Sequence, residues 1–196
     1  MIFVPKTPKN LAPKASIGVV GLGCIGGSIA GALSKTQRYN IIGVDKDNDT
    51  LHYAFEKNII QLGHRDINIL KGCEVVFVCT PIDTVSLIVN QLYRILGTSA
   101  IITDAASIKG AILENLPEGV RFVGGHPMAG SEQGGIKAAK DHMFENAYYV
   151  LTPRPNTPKE DLDYIIELVK QMQALPVILD KQTHDITVAK ISHLPH

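Results

Sequence analysis

The sequence is short of cysteine and carries no excess of charge of either sign. Nineteen lysines and arginines balance nineteen aspartates and glutamates, and no basic patch stands out. Nucleic acid and anionic membrane surfaces are therefore poor candidate partners. The three cysteines, Cys24, Cys73 and Cys79, form no CxxC pair. Their odd number, together with the lack of a signal-peptide pattern, predicts a reducing, cytoplasmic location.

Long hydrophobic runs are also scarce. One apolar stretch, 15–33, follows basic residues and could be taken for a signal or membrane segment. It contains six glycines, it divides into a β-like half and a helix-like half, and it lacks a convincing cleavage pattern. We therefore reject that interpretation. With 196 residues, the chain can bury a substantial core as one domain or slightly more.

What the sequence does contain is a glycine-rich turn between a predicted strand and a predicted helix. A β-branched run, 17–20, meets the sequence GLGCIG at 21–26, and a small-residue helical pattern follows. A second predicted strand, 41–44, ends in Asp45. In a dinucleotide-binding turn the first glycine permits the tight turn, the second lets the backbone approach a pyrophosphate, and the third lets the helix pack on the strand. The N–H groups of the helix N-terminus would face the phosphates.

Asp45 indicates which dinucleotide would bind. Its carboxylate would accept hydrogen bonds from the adenosine ribose hydroxyls and would repel a 2′-phosphate, which favours NAD over NADP. Lys46, the next residue, weakens this preference but does not reverse it.

Strands alternate with helices along the rest of the chain, as in α/β folds. We predict a Rossmann-type, doubly wound, mostly parallel sheet over 15–180, with an extended arm at 1–14 and the start of an interdomain helix at 181–196. The polar segment 64–71 is expected to be a linker or a helix. Ligands bind beyond the carboxyl ends of such strands. The residues that follow predicted strands, and should line one edge of the sheet, are Gly21, Asp45, Thr80, Asp104 and His126.

Two further segments have a structural and a functional interpretation. The sequence DAASIK at 104–109 is explained most simply by a strand end, a turn, an N-capping Ser107 for a helix over 108–116, and a solvated Lys109. In GGHPMAGSE, glycines surround His126, and a loop histidine over a nicotinamide site suits a general base or hydrogen-bond acceptor. A merely solvated His126 is the alternative.

The C-terminal segment raises the question of a metal site, because His193 and His196 are spaced i, i+3. No cysteine or carboxylate cluster accompanies them, and Pro195 interrupts the helix. We therefore predict no metal.

Five motifs, in this order and at this spacing, resemble the prephenate dehydrogenase family, which includes the arogenate and cyclohexadienyl dehydrogenases of tyrosine biosynthesis. The motifs are GLGCIGGS, VFVCTP, DAASIK, GGHPMAGSE and HDITVAKISHLPH. The resemblance runs from about Ser16 to the last residue. GGHPMAG and SHLPH are specific to that family, whereas other dehydrogenases share the glycine motif.

The resemblance implies an NAD-dependent oxidative decarboxylation of prephenate to 4-hydroxyphenylpyruvate. Hydride leaves ring carbon C4, the C4 hydroxyl becomes a carbonyl, and CO2 departs as the ring aromatises. His126 would accept the hydroxyl proton, and Ser107 would bond the same hydroxyl or orient the imidazole; a base of this kind contributes on the order of 10²–10⁴ in rate. His193, His196 and Glu132 would contact the substrate.

The cofactor, by the same resemblance, would contact the glycine turn and the ends of the following strands. The predicted cofactor-binding residues are Gly21, Gly23, Cys24, Ile25, Gly26, Asp45, Lys46, Thr80, Pro81 and Asp104. Thr80 and Pro81 would abut the nicotinamide half of NAD.

One departure from the family concerns the end of the chain. Family members continue after SHLPH into a helical domain that forms a homodimer and supplies a basic residue for the ring carboxylate, whereas this sequence ends at His196. We therefore expect this chain to bind NAD but to turn over poorly or not at all by itself, and we expect the homodimer to form through the absent domain.

Three alternatives stay open. The substrate could be arogenate, or both compounds, because the two differ only in a side-chain keto or amino group. A non-catalytic NAD-binding module would have no use for Ser107, His126, His193 and His196. A hydroxyacid or imino-acid reductase of the same fold would use a catalytic lysine, and Lys109 is the only indication of one.

Overall fold

The computed structural model describes residues 14–192, and side chains up to residue 190. Most of the predicted N-terminal arm, together with His193 and His196, lies outside this range. Within it, one eight-stranded sheet has the order β3-β2-β1-β4-β5-β6-β7-β8. The strands are β1 (Ser16–Val20), β2 (Asn40–Val44), β3 (Leu62–His64), β4 (Val75–Val78), β5 (Ile101–Asp104), β6 (Phe122–Pro127), β7 (Tyr148–Pro153) and β8 (Leu175–Ile178).

Six helices flank the sheet in the described part of the chain. They are α1 (Cys24–Lys35), α2 (Asn48–Glu56), α3 (Ile82–Leu96), α4 (Gly110–Glu114), α5 (Lys159–Gln171) and α6 (Lys181–Ser192), with short 3-10 turns at Ile67–Leu70 and Ile136–Ala138. None of them is both long and apolar enough to cross a lipid bilayer.

The core lies on both faces of the sheet, because successive strand residues point to opposite sides. Phe77 packs in a cluster with buried residues of α1, α2 and α5, whereas its neighbours Val76 and Val78 pack in a second cluster with residues of α3 and α4. The inner strands are therefore buried on both faces. This explains their continuous apolar sequences.

The prediction of a doubly wound, mostly parallel sheet is confirmed. β1 to β6 are all parallel and have the order 3-2-1-4-5-6, so the order reverses between β1 and β4. The crevice for a ligand opens at that switch point. β7 runs antiparallel to β6, and β8 runs parallel to β7.

Some local predictions were wrong. Strand β3, which ends at His64, was not predicted, whereas the rest of 64–71 contains a short helical turn of the 3-10 type, in line with the expected linker or helix. The helix expected over 108–116 is reduced to α4, whose N-cap position is Lys109 and not Ser107. His126 belongs to strand β6 and not to a loop.

Candidate active site

The glycine turn joins β1 to α1 at the switch point. Gly21 has φ of +88°, a conformation that favours glycine, and its N–H donates to the carbonyl of Val44 at 2.8 Å. A Cβ atom on Gly26 would lie only 1.9 Å from the carbonyl oxygen of Gly21. The first and third glycines of the motif are therefore needed for the fold itself.

Gly23 differs from those two glycines, because a Cβ atom there would have no neighbour within 4 Å. It is the N-cap residue of α1 and supplies no capping side chain. The N–H groups of the first helical turn, including those of Cys24 and Ile25, have no partner within the helix. The space beside Gly23 and these donors together fit the pyrophosphate of a dinucleotide. The Cys24 thiol is turned away from them, toward the carbonyl of Ala138.

Asp45 stands beside this turn at the end of β2. One carboxylate oxygen accepts from the N–H of Leu22 at 2.8 Å, and the other accepts from the N–H of Asp47 at 3.0 Å. These bonds fix the carboxylate next to the glycine turn, where the adenosine ribose of a dinucleotide would lie. Lys46 is exposed.

Thr80 and Pro81 follow β4 on the other side of the switch point. The Thr80 hydroxyl is buried and has no hydrogen-bond partner among the described residues. Pro81 is exposed and is the N-cap residue of α3. A buried hydroxyl that lacks a partner at this edge fits a cofactor that brings its own polar groups.

Asp104 and Lys109 form a fully buried ion pair below the site. Asp104 also accepts from the N–H groups of Ala106 and Gly125, both at 3.0 Å. The carboxylate therefore links the segment after β5 to β6 instead of facing the cofactor crevice. Burial lowers the pKa of Lys109 against the opposing attraction of Asp104. The expectation of a solvated Lys109 was wrong.

His126 is the first member of a hydrogen-bonded chain. Its Nδ1 lies 2.9 Å from Nε2 of His184, and Nδ1 of His184 lies 2.7 Å from a carboxylate oxygen of Asp185. The two imidazole rings meet edge to face, with centroids 5.2 Å apart. Asp185 in turn accepts from the N–H groups of Lys109 at 2.9 Å and Gly110 at 2.8 Å, and so caps α4 in place of Ser107.

This environment keeps His126 neutral. Burial, assisted by His184 and Lys109, lowers the pKa of His126 to about 4, while Asp185 acts in the opposite direction. Burial alone would raise the pKa of Asp185, but the hydrogen bonds from Lys109, His184 and Gly110 outweigh it and hold that pKa below its ordinary value. A neutral imidazole is the form that accepts a proton.

A cavity of about 400 Å³ brings Ser107 and His126 together. Its other lining residues are Pro127, Met128, Ala129, Gly130 and Val188. Glu132 is exposed in the segment after β6 and does not line this cavity. A larger cavity, about 840 Å³, lies at the opposite, amino-terminal edge of the sheet. The smaller cavity is the candidate site, because it contains Ser107 and the hydrogen-bonded His126 and lies at the carboxyl ends of the parallel strands.

His184 and Asp185 were not among the predicted site residues, and Lys109 was considered only as the catalytic lysine of an alternative reductase. The adjacent pair His184-Asp185 was visible in the sequence, but nothing local indicates that it reaches a strand more than 50 residues earlier. In residues 14–192, no three histidine, cysteine, aspartate or glutamate side chains are grouped to hold a metal ion.

The strand order, the glycine turn and the acidic residue after β2 define a dinucleotide-binding domain of the Rossmann type. The family model described as "Prephenate dehydrogenase, nucleotide-binding domain" matches residues 29–178. The chain belongs to the prephenate dehydrogenase family.

Individual relatives agree with this assignment. The chain is 35% identical over 190 residues to the prephenate dehydrogenase of Bacillus subtilis (strain 168), covering 93% of this chain and 51% of that protein. The crystal structure of Synechocystis arogenate dehydrogenase is 37% identical, with a TM-score of 0.86, over 91% of this chain and 64% of that chain. Prephenate dehydrogenase from A. aeolicus, in complex with hydroxyphenyl propionate and NAD+, is 28% identical, with a TM-score of 0.83, over 91% and 64%. The chain thus spans about half the length of the curated relatives it matches.

Proposed function

We propose that this chain is the nucleotide-binding part of an NAD-dependent dehydrogenase that converts prephenate to 4-hydroxyphenylpyruvate in tyrosine biosynthesis. The observation that carries the proposal is the placement of a neutral His126 beside Ser107. Both lie at the same edge of the sheet as the open space beside Gly23. A protein that only binds NAD would not need a proton acceptor at that position.

In this reaction His126 takes up the proton of the C4 hydroxyl as the hydride leaves C4. The hydroxyl oxygen becomes a carbonyl, so positive charge does not accumulate on the substrate. Ser107 bonds the same hydroxyl or orients the imidazole. Decarboxylation then moves the electron pair of the broken C–C bond through the ring onto the C4 oxygen, and the resulting phenolate takes back the proton from the His126 imidazolium. Bound NAD supplies the hydride acceptor.

The proposed cofactor residues divide by function. The N–H groups at 23–26 bind the pyrophosphate, Asp45 binds the ribose hydroxyls and favours NAD over NADP, and Thr80 with Pro81 borders the nicotinamide. The carboxylate of Asp45 would lie against a 2′-phosphate if NADP bound, and this repulsion supports the preference. The role of Asp104 is revised from cofactor contact to support of the loop and strand that carry Ser107 and His126.

Other proposals concern the longer protein. His193, His196 and Glu132 are retained as substrate contacts, with 1–14 as an arm and 15–180 as the cofactor domain. A helical domain beyond 181–196 would complete the pocket and form a homodimer. The three free thiols fit a reducing cytoplasm.

Arogenate is the second candidate substrate, and a dual specificity is the third. The similarity to an arogenate dehydrogenase of known structure supports keeping it. The two substrates share the ring chemistry that His126 and Ser107 would perform.

The test is substrate-dependent NADH formation, measured with prephenate and with arogenate. We expect slow turnover that falls by about 10²–10⁴ in His126→Ala, with the affinity for NAD unchanged. A His142→Gln variant, which alters an exposed histidine paired with Asp141, should keep the unmodified rate. If the His126→Ala variant forms NADH as fast as the unmodified chain, the assignment of the base is wrong.

A further inference from the structure

The chain of hydrogen bonds behind His126 determines which of its two ring nitrogens carries the proton. Asp185 is an acceptor only, so Nδ1 of His184 must donate to it. When this is the single proton of the His184 ring, its Nε2 accepts from Nδ1 of His126 at 2.9 Å. The remaining nitrogen of His126, Nε2, is left without a proton.

This arrangement matters because only an unprotonated nitrogen can take the substrate proton. Nδ1 of His126 is occupied by His184, and the structure gives Nε2 no hydrogen-bond partner within residues 14–192. The ring also lines the cavity shared with Ser107. If His126 had the other tautomer, its acceptor nitrogen would point to His184 and the hydroxyl of a substrate would meet an N–H group.

The support behind the pair is rigid. His184 is fully buried. Asp185 is held by two backbone N–H groups at the start of α4, so its carboxylate cannot turn away without leaving them unpaired. Helix α6, which carries both residues, is thereby attached to the segment that carries Ser107.

We propose that His184 and Asp185 are positioning residues that hold His126 in the Nδ1–H tautomer, with Nε2 as the proton acceptor facing the cavity. The catalytic use of this tautomer rests on the proposed function, but the tautomer itself can be measured without substrate. The carboxylate of Asp185, relayed through His184, also stabilises the imidazolium that forms when Nε2 of His126 takes the proton from the substrate hydroxyl.

The experiment is long-range ¹H–¹⁵N NMR of the histidine side chains in the ¹⁵N-labelled chain at neutral pH, without substrate. In the unmodified chain we expect a protonated Nδ1 and an unprotonated Nε2 for His126. In His184→Phe the acceptor is lost, and the Nδ1–H form should no longer dominate. In His184→Gln the amide oxygen can accept the same bond, so the Nδ1–H form should be partly restored.

His142→Gln is the matched control, because His142 also bonds a neighbouring carboxylate, that of Asp141 at 3.0 Å, but is exposed. It should leave the His126 signals unchanged, and far-UV circular dichroism reports whether each variant is folded. The proposal is overturned if His126 is mainly Nε2–H in the unmodified chain, or if a folded His184→Phe variant keeps the Nδ1–H tautomer. Failure to oxidise prephenate would contradict the proposed function alone, since the tautomer is measured without it.

Discussion

At the scale of single residues, His126 is defined by what surrounds its ring. Burial and the neighbouring His184 and Lys109 favour the neutral imidazole, while Asp185 limits this effect. The functional role proposed for this histidine was inferred from its glycine-rich context after a strand. Its partners could not, because His184 and Asp185 come from a helix 58 residues further along the chain.

His126 should make the stability of the fold sensitive to acid. Its pKa falls from 6.5 to about 4 on folding, so between these pH values the unfolded chain binds a proton that the folded chain does not. The contribution of His126 to the free energy of unfolding is therefore complete above pH 6.5 and declines as the pH falls toward 4. Urea unfolding at a series of pH values should give a smaller decline for His126→Asn. Equal declines in both proteins would contradict the lowered pKa.

Lys109 shows how little a residue type reveals about its environment. A lysine near a helix start is solvated in most proteins, yet this one is fully buried against Asp104. Room for it comes from a glycine on the neighbouring strand: a Cβ atom on Gly124 would lie 3.1 Å from Cδ of Lys109. The sequence GGH is thus partly a packing motif, which only the paired strands reveal.

Lys109→Met should destabilise the fold by about 3–5 kcal/mol, because it leaves the Asp104 carboxylate buried without its counterion. The double variant Lys109→Met with Asp104→Asn should recover part of this loss. Chemical denaturation measures both. Lys159→Met is the matched control: it removes an exposed ion pair with Asp163, so its effect on stability should be far smaller. If Lys109→Met lowers the stability as little as Lys159→Met does, the buried ion pair is not needed for the fold.

At the scale of secondary structure elements, those that depend on neighbouring residues could be predicted, whereas those that depend on distant residues could not. The glycine turn and α1 follow from residues within one short stretch. The start of α4 does not, because its cap is Asp185 from α6 rather than the adjacent Ser107. β3 was missed because three residues at a sheet edge are too few for a periodic pattern.

Substitutions at two glycines of the turn should separate an effect on folding from an effect on cofactor binding. Gly26→Ala places a Cβ atom 1.9 Å from the Gly21 carbonyl oxygen, so we expect a loss of stability of about 1–3 kcal/mol or more. Gly23→Ala meets no neighbour, so its stability should change by no more than about 0.5 kcal/mol. Its methyl group would instead occupy the space for the pyrophosphate, and NAD affinity should fall at least about tenfold, or roughly 1.4 kcal/mol.

Thermal unfolding and NAD titration of the two variants check this separation. A Gly23→Ala variant that is stable and binds NAD normally would mean that the pyrophosphate lies elsewhere.

At the scale of the whole molecule, the parallel sheet brings distant residues to one edge. Gly21, Asp45, Thr80 and His126 come from four different strand ends and lie along the carboxyl edge of β1, β2, β4 and β6, as the alternating pattern predicted. The extent to which the pocket encloses a ligand could not be predicted, because it depends on how many sides of the pocket are formed by protein. In the described residues the His126 cavity is bounded by α6, the Ser107 segment and residues 126–130.

This geometry predicts unequal binding of cofactor and substrate by the 196-residue chain. The predicted dinucleotide site lies between the described strand ends and α1, so calorimetry should detect the binding of NAD. NADP should bind with lower affinity, because Asp45 would repel its 2′-phosphate. Asp45→Asn should narrow the difference in affinity between NAD and NADP, whereas Asp49→Asn, at an exposed position of α2, should not. Prephenate or arogenate, titrated into the NAD complex, should bind weakly, because tight sites enclose most of a ligand's surface and this cavity does not.

Tight substrate binding or fast turnover by this chain alone would contradict the expectation that further residues complete the pocket. If neither dinucleotide binds, the interpretation of residues 16–45 is wrong, and the roles of His126 and Ser107 fall with it. If NAD binds and substrate does not, the cofactor and substrate affinities reside in separate parts of the protein.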